Sequence, residues 1–152
     1  MPGPGMELIG AEEKQALLEV IEAGYLFRYG SPDNPAFKAK VYQLEQAVST
    51  LTGVRHAVAV NSGTTALQVA LSGLGVGPGD EVIVPGYTFV ASMSAVVYAR
   101  AVPILAEIDT SLNLDPADVA SRITPRTRAI MAVHSRLLVC ENRHLKSPSG
   151  GR

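Results

Sequence analysis

Apolar residues first recur every three or four positions, then gather into short runs separated by small and polar residues. In Glu12 to Ala23, Leu17, Leu18, Val20 and Ile21 stand among Glu and Lys, which predicts an amphipathic helix with Gly24 where a C-terminal cap would sit. "GYLFRYGSPDNP", Gly24 to Pro35, mixes aromatics, turn formers and an unpaired Arg28, and reads as a loop. Ala36 to Leu51 places Phe37, Val41, Leu44 and Val48 on one face, so a second helix is expected to end before Gly53.

Strands and helices then alternate. The pattern predicts strands at Ala57–Val60, Glu81–Val84, Val102–Ile108 and Arg128–Val133. Helices are expected at Thr64–Leu74, Phe89–Ala99 and, after Asp115, Pro116–Arg122. Such alternation indicates an α/β fold, a parallel sheet covered on both faces with right-handed crossovers. The strands read as continuous apolar runs, as doubly buried strands should. Residues 1–10 are a Pro- and Gly-rich leader, expected to be flexible. Past His134 the pattern stops. "SRLLVCENRHLKSPSGGR", residues 135–152, carries four Lys or Arg against one Glu and closes on Ser, Pro and Gly, and it reads as an irregular, non-native tail.

At 152 residues the chain fits about one domain, and 47% hydrophobic with 18% charged residues is ordinary for a soluble protein. A net charge of −1 gives no electrostatic case for nucleic acid or a membrane surface. One cysteine, Cys140, cannot form an internal disulfide, and no secretory signal is present, so a cytoplasmic location is expected. Gly, Pro and charges interrupt every apolar run before the roughly 18 residues that a membrane helix needs.

In open parallel sheets ligands sit beyond the carboxyl ends of the strands. At the first such joint, "VAVNSGTTAL", Ser62 can cap a helix while the N–H groups of Gly63, Thr64 and Thr65 point outward at its positive end. The residues leave two readings open, an ordinary capped helix and an anion cradle. The second joint, "PGYTFVAS", sets Tyr87 and Phe89 around Thr88, either as core aromatics or as a stacking wall for a flat ligand. Side by side, the two joints suit a planar aromatic phosphate ester. The third holds only His134, which fits a structural role better than a ligand contact.

The glycines of "GLGVGPGD", Gly73 to Asp80, look like a dinucleotide fingerprint, but they follow a helix and precede a strand, with the wrong spacing. They predict a helix cap and turn, and a nucleotide-binding Rossmann-like domain is disfavoured. No P-loop occurs. His56 and His144 lack metal-ligand spacing, no nucleophile elbow or Ser-His-Asp set is visible, and Cys140 lies in the tail, so neither a metal site nor a catalytic thiol is expected.

Three stretches carry a resemblance: "HAVAVNSGTTALQVAL", "GVGPGDEVIVPGYTFVASMSAVVYARAVPILAEID" and "LNLDPADVASRITPRTRAIMAVH". From about Met6 to His134, with "GYLFRYG" as an N-terminal loop near the substrate, the chain resembles the DegT/StrS family of sugar aminotransferases, which use pyridoxal 5'-phosphate (PLP). The resemblance implies residues 11–134 as the N-terminal part of a three-layer, fold-type I large domain, incomplete here. It also implies a homodimer, and transfer of an amino group, commonly from glutamate, to a nucleotide-linked keto sugar. By position, Gly63, Thr64 and Thr65 match the segment that binds the PLP phosphate, and Phe89 matches the aromatic stacked on the pyridine ring. Thr88 helps to shape the pocket.

The Asp that holds the pyridine nitrogen and the Schiff-base Lys have no counterpart in the stretches that carry the resemblance. Lys146 comes too early, in a tail without a strand, so no catalytic residue is assigned. A frameshift, an early stop or a misplaced gene end would produce this break at His134. A transaminase needs that amine for proton transfer and that carboxylate to keep the ring an electron sink, so a cradle and a stacking ring supply binding without turnover. The alternative to the aminotransferase reading is thus an inactive fragment that at most binds phosphate ligands or an intact subunit. An incomplete parallel sheet exposes apolar surface. The chain expressed alone is expected to be poorly soluble or molten, and a sharp cooperative unfolding transition of a soluble monomer would count against this.

Overall fold

The structure, a computed structural model, describes residues 8–135. The chain forms two compact units, Met1–Ala59 and Val60–Arg152. In the first, α1 spans Ala11–Ala23 and α2 spans Lys40–Thr52. Gly24 and Gly53 take the left-handed conformation (φ 67° and 73°) that ends each helix, which is why glycine stands at both positions. Neither helix has a buried residue, and Leu17 and Ile21 are exposed.

The expected helix from Ala36 begins four residues later. Asn34 takes the N–H of Ala36 on its side-chain oxygen (3.0 Å) and that of Phe37 on its carbonyl (2.9 Å), and Ala39 then adopts a positive φ of 52°. A positive φ lies outside the right-handed helical region, so α2 begins only after Ala39. The expected strand Ala57–Val60 is absent, and Val58 is exposed. The backbone groups of Ala59 are held by side chains: its N–H donates to Glu45 Oε1 (2.8 Å) and its carbonyl accepts from Arg28 Nη1 (2.9 Å).

The second unit is a three-layer α/β structure. Three parallel strands, β1 (Glu81–Pro85), β2 (Val102–Ala106) and β3 (Thr127–Ile130), lie in the order β2-β1-β3. All five residues of β1 are buried. Because side chains alternate along a strand, Val82 and Val84 point to one face and Ile83 to the other. Val82 and Val84 pack with Leu71, Val76, Ala95, Val96 and Ala101, which come from α3 (Gly63–Gly73), α4 (Ala91–Tyr98) and the turns that follow them. Ile83 packs with Ala106, Leu114 and Val119, the last from α5 (Pro116–Arg122).

The expectation of doubly buried strands holds for β1 alone. Among the described residues β2 pairs only with β1 and lies at an edge, and Val102 and Leu105 are about half exposed. It also stops at Ala106, short of the expected Ile108, which forms an antiparallel bridge with Leu114 instead. The glycine-rich segment is the expected cap and turn, with Gly75 (φ 70°) and Gly79 (φ 89°) left-handed between α3 and β1. Of the expected leader and tail, residues 1–7 and 136–152, including Cys140, His144 and Lys146, lie outside the described residues.

At the amino end of β1, Glu81 is buried and accepts from Thr124 Oγ1 (2.5 Å) and from Arg126 Nε (2.8 Å) and Nη2 (2.6 Å). The Thr124 hydroxyl, then the Arg126 guanidinium, hold its carboxyl below the ordinary value against the opposing effect of burial. A carboxyl whose pKa is lowered by folding stabilises the fold above its unfolded pKa, and that contribution is lost as pH falls through the folded value. Glu81→Gln should therefore unfold at lower temperature than the parent at neutral pH, with the gap closing on acidification. Thermal melts across an acid series check this; a gap that is constant with pH would refute it.

Candidate functional site

The joint between Val60 and α3 is built as a capped helix start. Ser62 is extended (φ −161°, ψ 159°), and its Oγ accepts the N–H of Thr65 (3.1 Å) and lies 3.0 Å from the Thr65 hydroxyl. Ala66 donates to the Ser62 carbonyl (3.0 Å). The cap therefore uses one of the three N–H groups expected to face a ligand: that of Thr65 is taken. Those of Gly63 and Thr64 have no partner among the described residues. A Cβ added to Gly63 would meet nothing within 4 Å, so open space lies before these donors.

The second joint follows β1. Gly86 donates to the Ala106 carbonyl (2.8 Å), and a Cβ there would stand 3.3 Å from that oxygen, so a residue with a side chain would crowd β2. Tyr87 and Phe89 are exposed, Phe89 by 76%, so neither is the core aromatic that the sequence also allowed. Helix α4 starts at Ala91, two residues later than expected, because Phe89 and Val90 supply the carbonyls that its first turn uses, bonded by Ser92 N–H (3.0 Å) and Ser94 N–H (2.9 Å). Thr88 Oγ1 is 2.9 Å from Ser92 Oγ, so its hydroxyl is engaged with α4.

Chain direction brings the two joints to the same edge. Helix α4 runs from the carboxyl end of β1 back to the amino end of the parallel strand β2. Helix α3 packs beside α4, and its carboxyl end leads by a short turn into the amino end of β1. Both helices thus begin at the carboxyl edge of the sheet, where ligands of such folds bind. At the third joint, Met131 donates to the Ile83 carbonyl (2.8 Å), and His134 follows, exposed. Ser135 N–H is held by the buried Asn113 Oδ1 (2.9 Å).

Residues 7–147 match the DegT/DnrJ/EryC1/StrS aminotransferase family. The chain belongs to this family. The matched span continues beyond His134 into residues 135–147, within the segment read from sequence as a tail. Among curated relatives, GDP-perosamine synthase of Caulobacter vibrioides is 48% identical over 102 residues, 66% of this chain and 28% of that protein. Among solved structures, 3-amino-5-hydroxybenzoic acid synthase superposes with a TM-score of 0.82 at 38% identity, covering 90% of this chain and 34% of the other. NtdA from Bacillus subtilis with bound cofactor PMP has a TM-score of 0.77 at 31% identity, covering 93% and 32%. The chain thus spans about a third of the length of these DegT/DnrJ/EryC1/StrS relatives.

The family implies PLP as cofactor, and the residues present fit it. Two unspent N–H groups at a helix start, with space before them, suit a phosphate, and an exposed phenyl ring on the same edge suits a flat heterocycle. Among the described residues no cluster of His, Cys, Asp or Glu could hold a metal ion, and no helix is long and apolar enough to cross a membrane.

Local sequence reading missed the partners of Arg28. The guanidinium pairs with Glu45, 17 positions away, and lies 5.4 Å from the Tyr29 ring centroid. No spacing rule joins residues that far apart, and Glu45 alone reads as one more charge on α2.

The Ser62 cap should be measurable on its own. Ser62→Ala is expected to cost about 1 kcal/mol and Ser62→Gly only a few tenths. Denaturant titration reads the difference, and equal stability of the alanine variant and the parent would show that the cap carries no energy.

Proposed function

We propose that residues 11–134 are the N-terminal part of the large domain of a PLP-dependent aminotransferase that transfers an amino group, commonly from glutamate, to a nucleotide-linked keto sugar. The observation that carries this reading is the Ser62-capped start of α3, with the N–H groups of Gly63 and Thr64 unspent, on the same sheet edge as the exposed Phe89. In it, Gly63 and Thr64 donate to the cofactor phosphate, assisted by the helix dipole. Thr65 acts through the cap, and its hydroxyl is oriented by Ser62. Phe89 covers one face of the pyridine ring and excludes water from it. When bound, PLP supplies the electron sink for amino transfer.

One relative supports the substrate class, whereas 3-amino-5-hydroxybenzoic acid synthase is named for an aromatic product. GDP-perosamine synthase is named for an amino sugar, and the family is one of aminotransferases. A homodimer in the cytoplasm is part of the same proposal.

One substitution isolates the cradle. Proline is favoured at the first position of a helix, and Ser62 already has the extended backbone that a following proline requires. Gly63→Pro should therefore leave the helix intact while deleting one donor. Equilibrium dialysis should show PLP held more tightly than pyridoxal, which lacks the phosphate. The variant should lose about tenfold in PLP affinity, with pyridoxal binding unchanged. Equal retention of PLP and pyridoxal by the parent chain would sink the reading.

A further inference from the structure

We propose that Pro103 closes the outer edge of β2 against pairing with a second copy of the chain. Strand β2 has β1 on one side and, among the described residues, no strand on the other. Such an edge offers a row of backbone N–H and C=O groups to any other extended chain. Its sequence, Val102-Pro103-Ile104-Leu105-Ala106, is apolar and uncharged, and Val102 and Leu105 are about half exposed. But for the proline, this is the kind of segment that associates edge to edge. Every copy of the chain carries the same edge, so a second copy is the partner always at hand.

The ladder with β1 fixes which groups face outward. Val102 donates to the Asp80 carbonyl (2.9 Å), and the Ala106 carbonyl accepts from Gly86 (2.8 Å). Backbone groups alternate along a strand, so Val102, Ile104 and Ala106 turn theirs to β1, and Ala101, Pro103, Leu105 and Glu107 turn theirs to the open side. The Ala101 N–H is taken by the Val96 carbonyl in α4 (3.2 Å), and that of Glu107 by Asp118 Oδ2 in α5 (2.7 Å). The Glu107 carbonyl is engaged as well, by the Asp115 N–H (3.0 Å). Both ends of the edge are thus occupied by groups from the two layers of helices. Its middle is left to Leu105 and to Pro103, which has no N–H. At Val102, Ile104 or Ala106 a proline would cost a bond to β1, whereas at position 103 it removes only an outward donor. In an antiparallel pairing of two copies centred on Ile104, each Pro103 stands opposite position 105 of the other copy. One of the two bonds that such a pair exchanges cannot form, and the twofold symmetry repeats the loss.

Amide hydrogen exchange of the whole chain at low and high protein concentration tests this. In the parent, the Leu105 N–H should exchange at the same rate at both concentrations. In Pro103→Val it should exchange about tenfold more slowly at the higher concentration, with Val84 in β1 equally protected at both. Adding Leu105→Pro to Pro103→Val moves the proline two positions along the same side of the strand. That double variant should show no concentration dependence at the N–H introduced at position 103. A parent already protected at Leu105 by concentration would overturn the proposal, as would a Pro103→Val chain with no such dependence or a double variant that keeps it. Loss of Val84 protection in Pro103→Val would also overturn it, since Pro103 would then support the sheet instead of guarding its edge.

Discussion

The second unit depends on one constraint: β1 must be covered on both faces at once. Its five residues are all buried, with Val82 and Val84 serving one core and Ile83 the other. A strand of this kind exists only inside a sandwich of helices. The positions of α3 and α4 above it, α5 below it and a neighbouring strand on each side follow from that need. The two joints that begin α3 and α4 reach a common edge as a result, because each of these helices must run antiparallel to the strand it covers.

Where local chemistry alone decides a structure, the sequence is readable. Ser62 caps α3, Gly24 and Gly53 end their helices, Asp115 and Pro116 open α5, and the glycines after α3 make a turn. Each follows from a few neighbouring residues. The failures occur where a distant or competing partner intervened. Ala39 turns left-handed just before Lys40, so α2 starts there and not at Ala36, and the backbone of Ala59 is bonded to the side chains of Arg28 and Glu45, partners that no local reading names. The edge character of β2 was hidden for the same reason: an apolar run does not say how many neighbours it will have.

At the site, sequence alone left the phosphate reading and the plain cap undecided, and the structure shows why the two are compatible. The cap spends the N–H of Thr65 and of Ala66, deeper in the first turn, and leaves those of Gly63 and Thr64 at the tip. Helix stability and ligand affinity therefore draw on different donors. The start of α3 is ordered by Ser62 whether or not an anion is present, so binding there need not supply the entropy of forming the turn.

The strand order β2-β1-β3 has a consequence for how the chain acquires its structure. The central strand is synthesised first, yet it gains its last neighbour only when Thr127 to Ile130 have emerged and paired with Glu81 to Ile83. Until then the one strand whose residues all end buried has an open side. Parallel pairing of segments this far apart is slow, because the intervening loop must close before any contact rewards it. A nascent chain with this strand order thus passes through an interval in which its future centre is open along one side. The early helices α3 and α4, which form from local contacts, are the elements able to shield it during that wait.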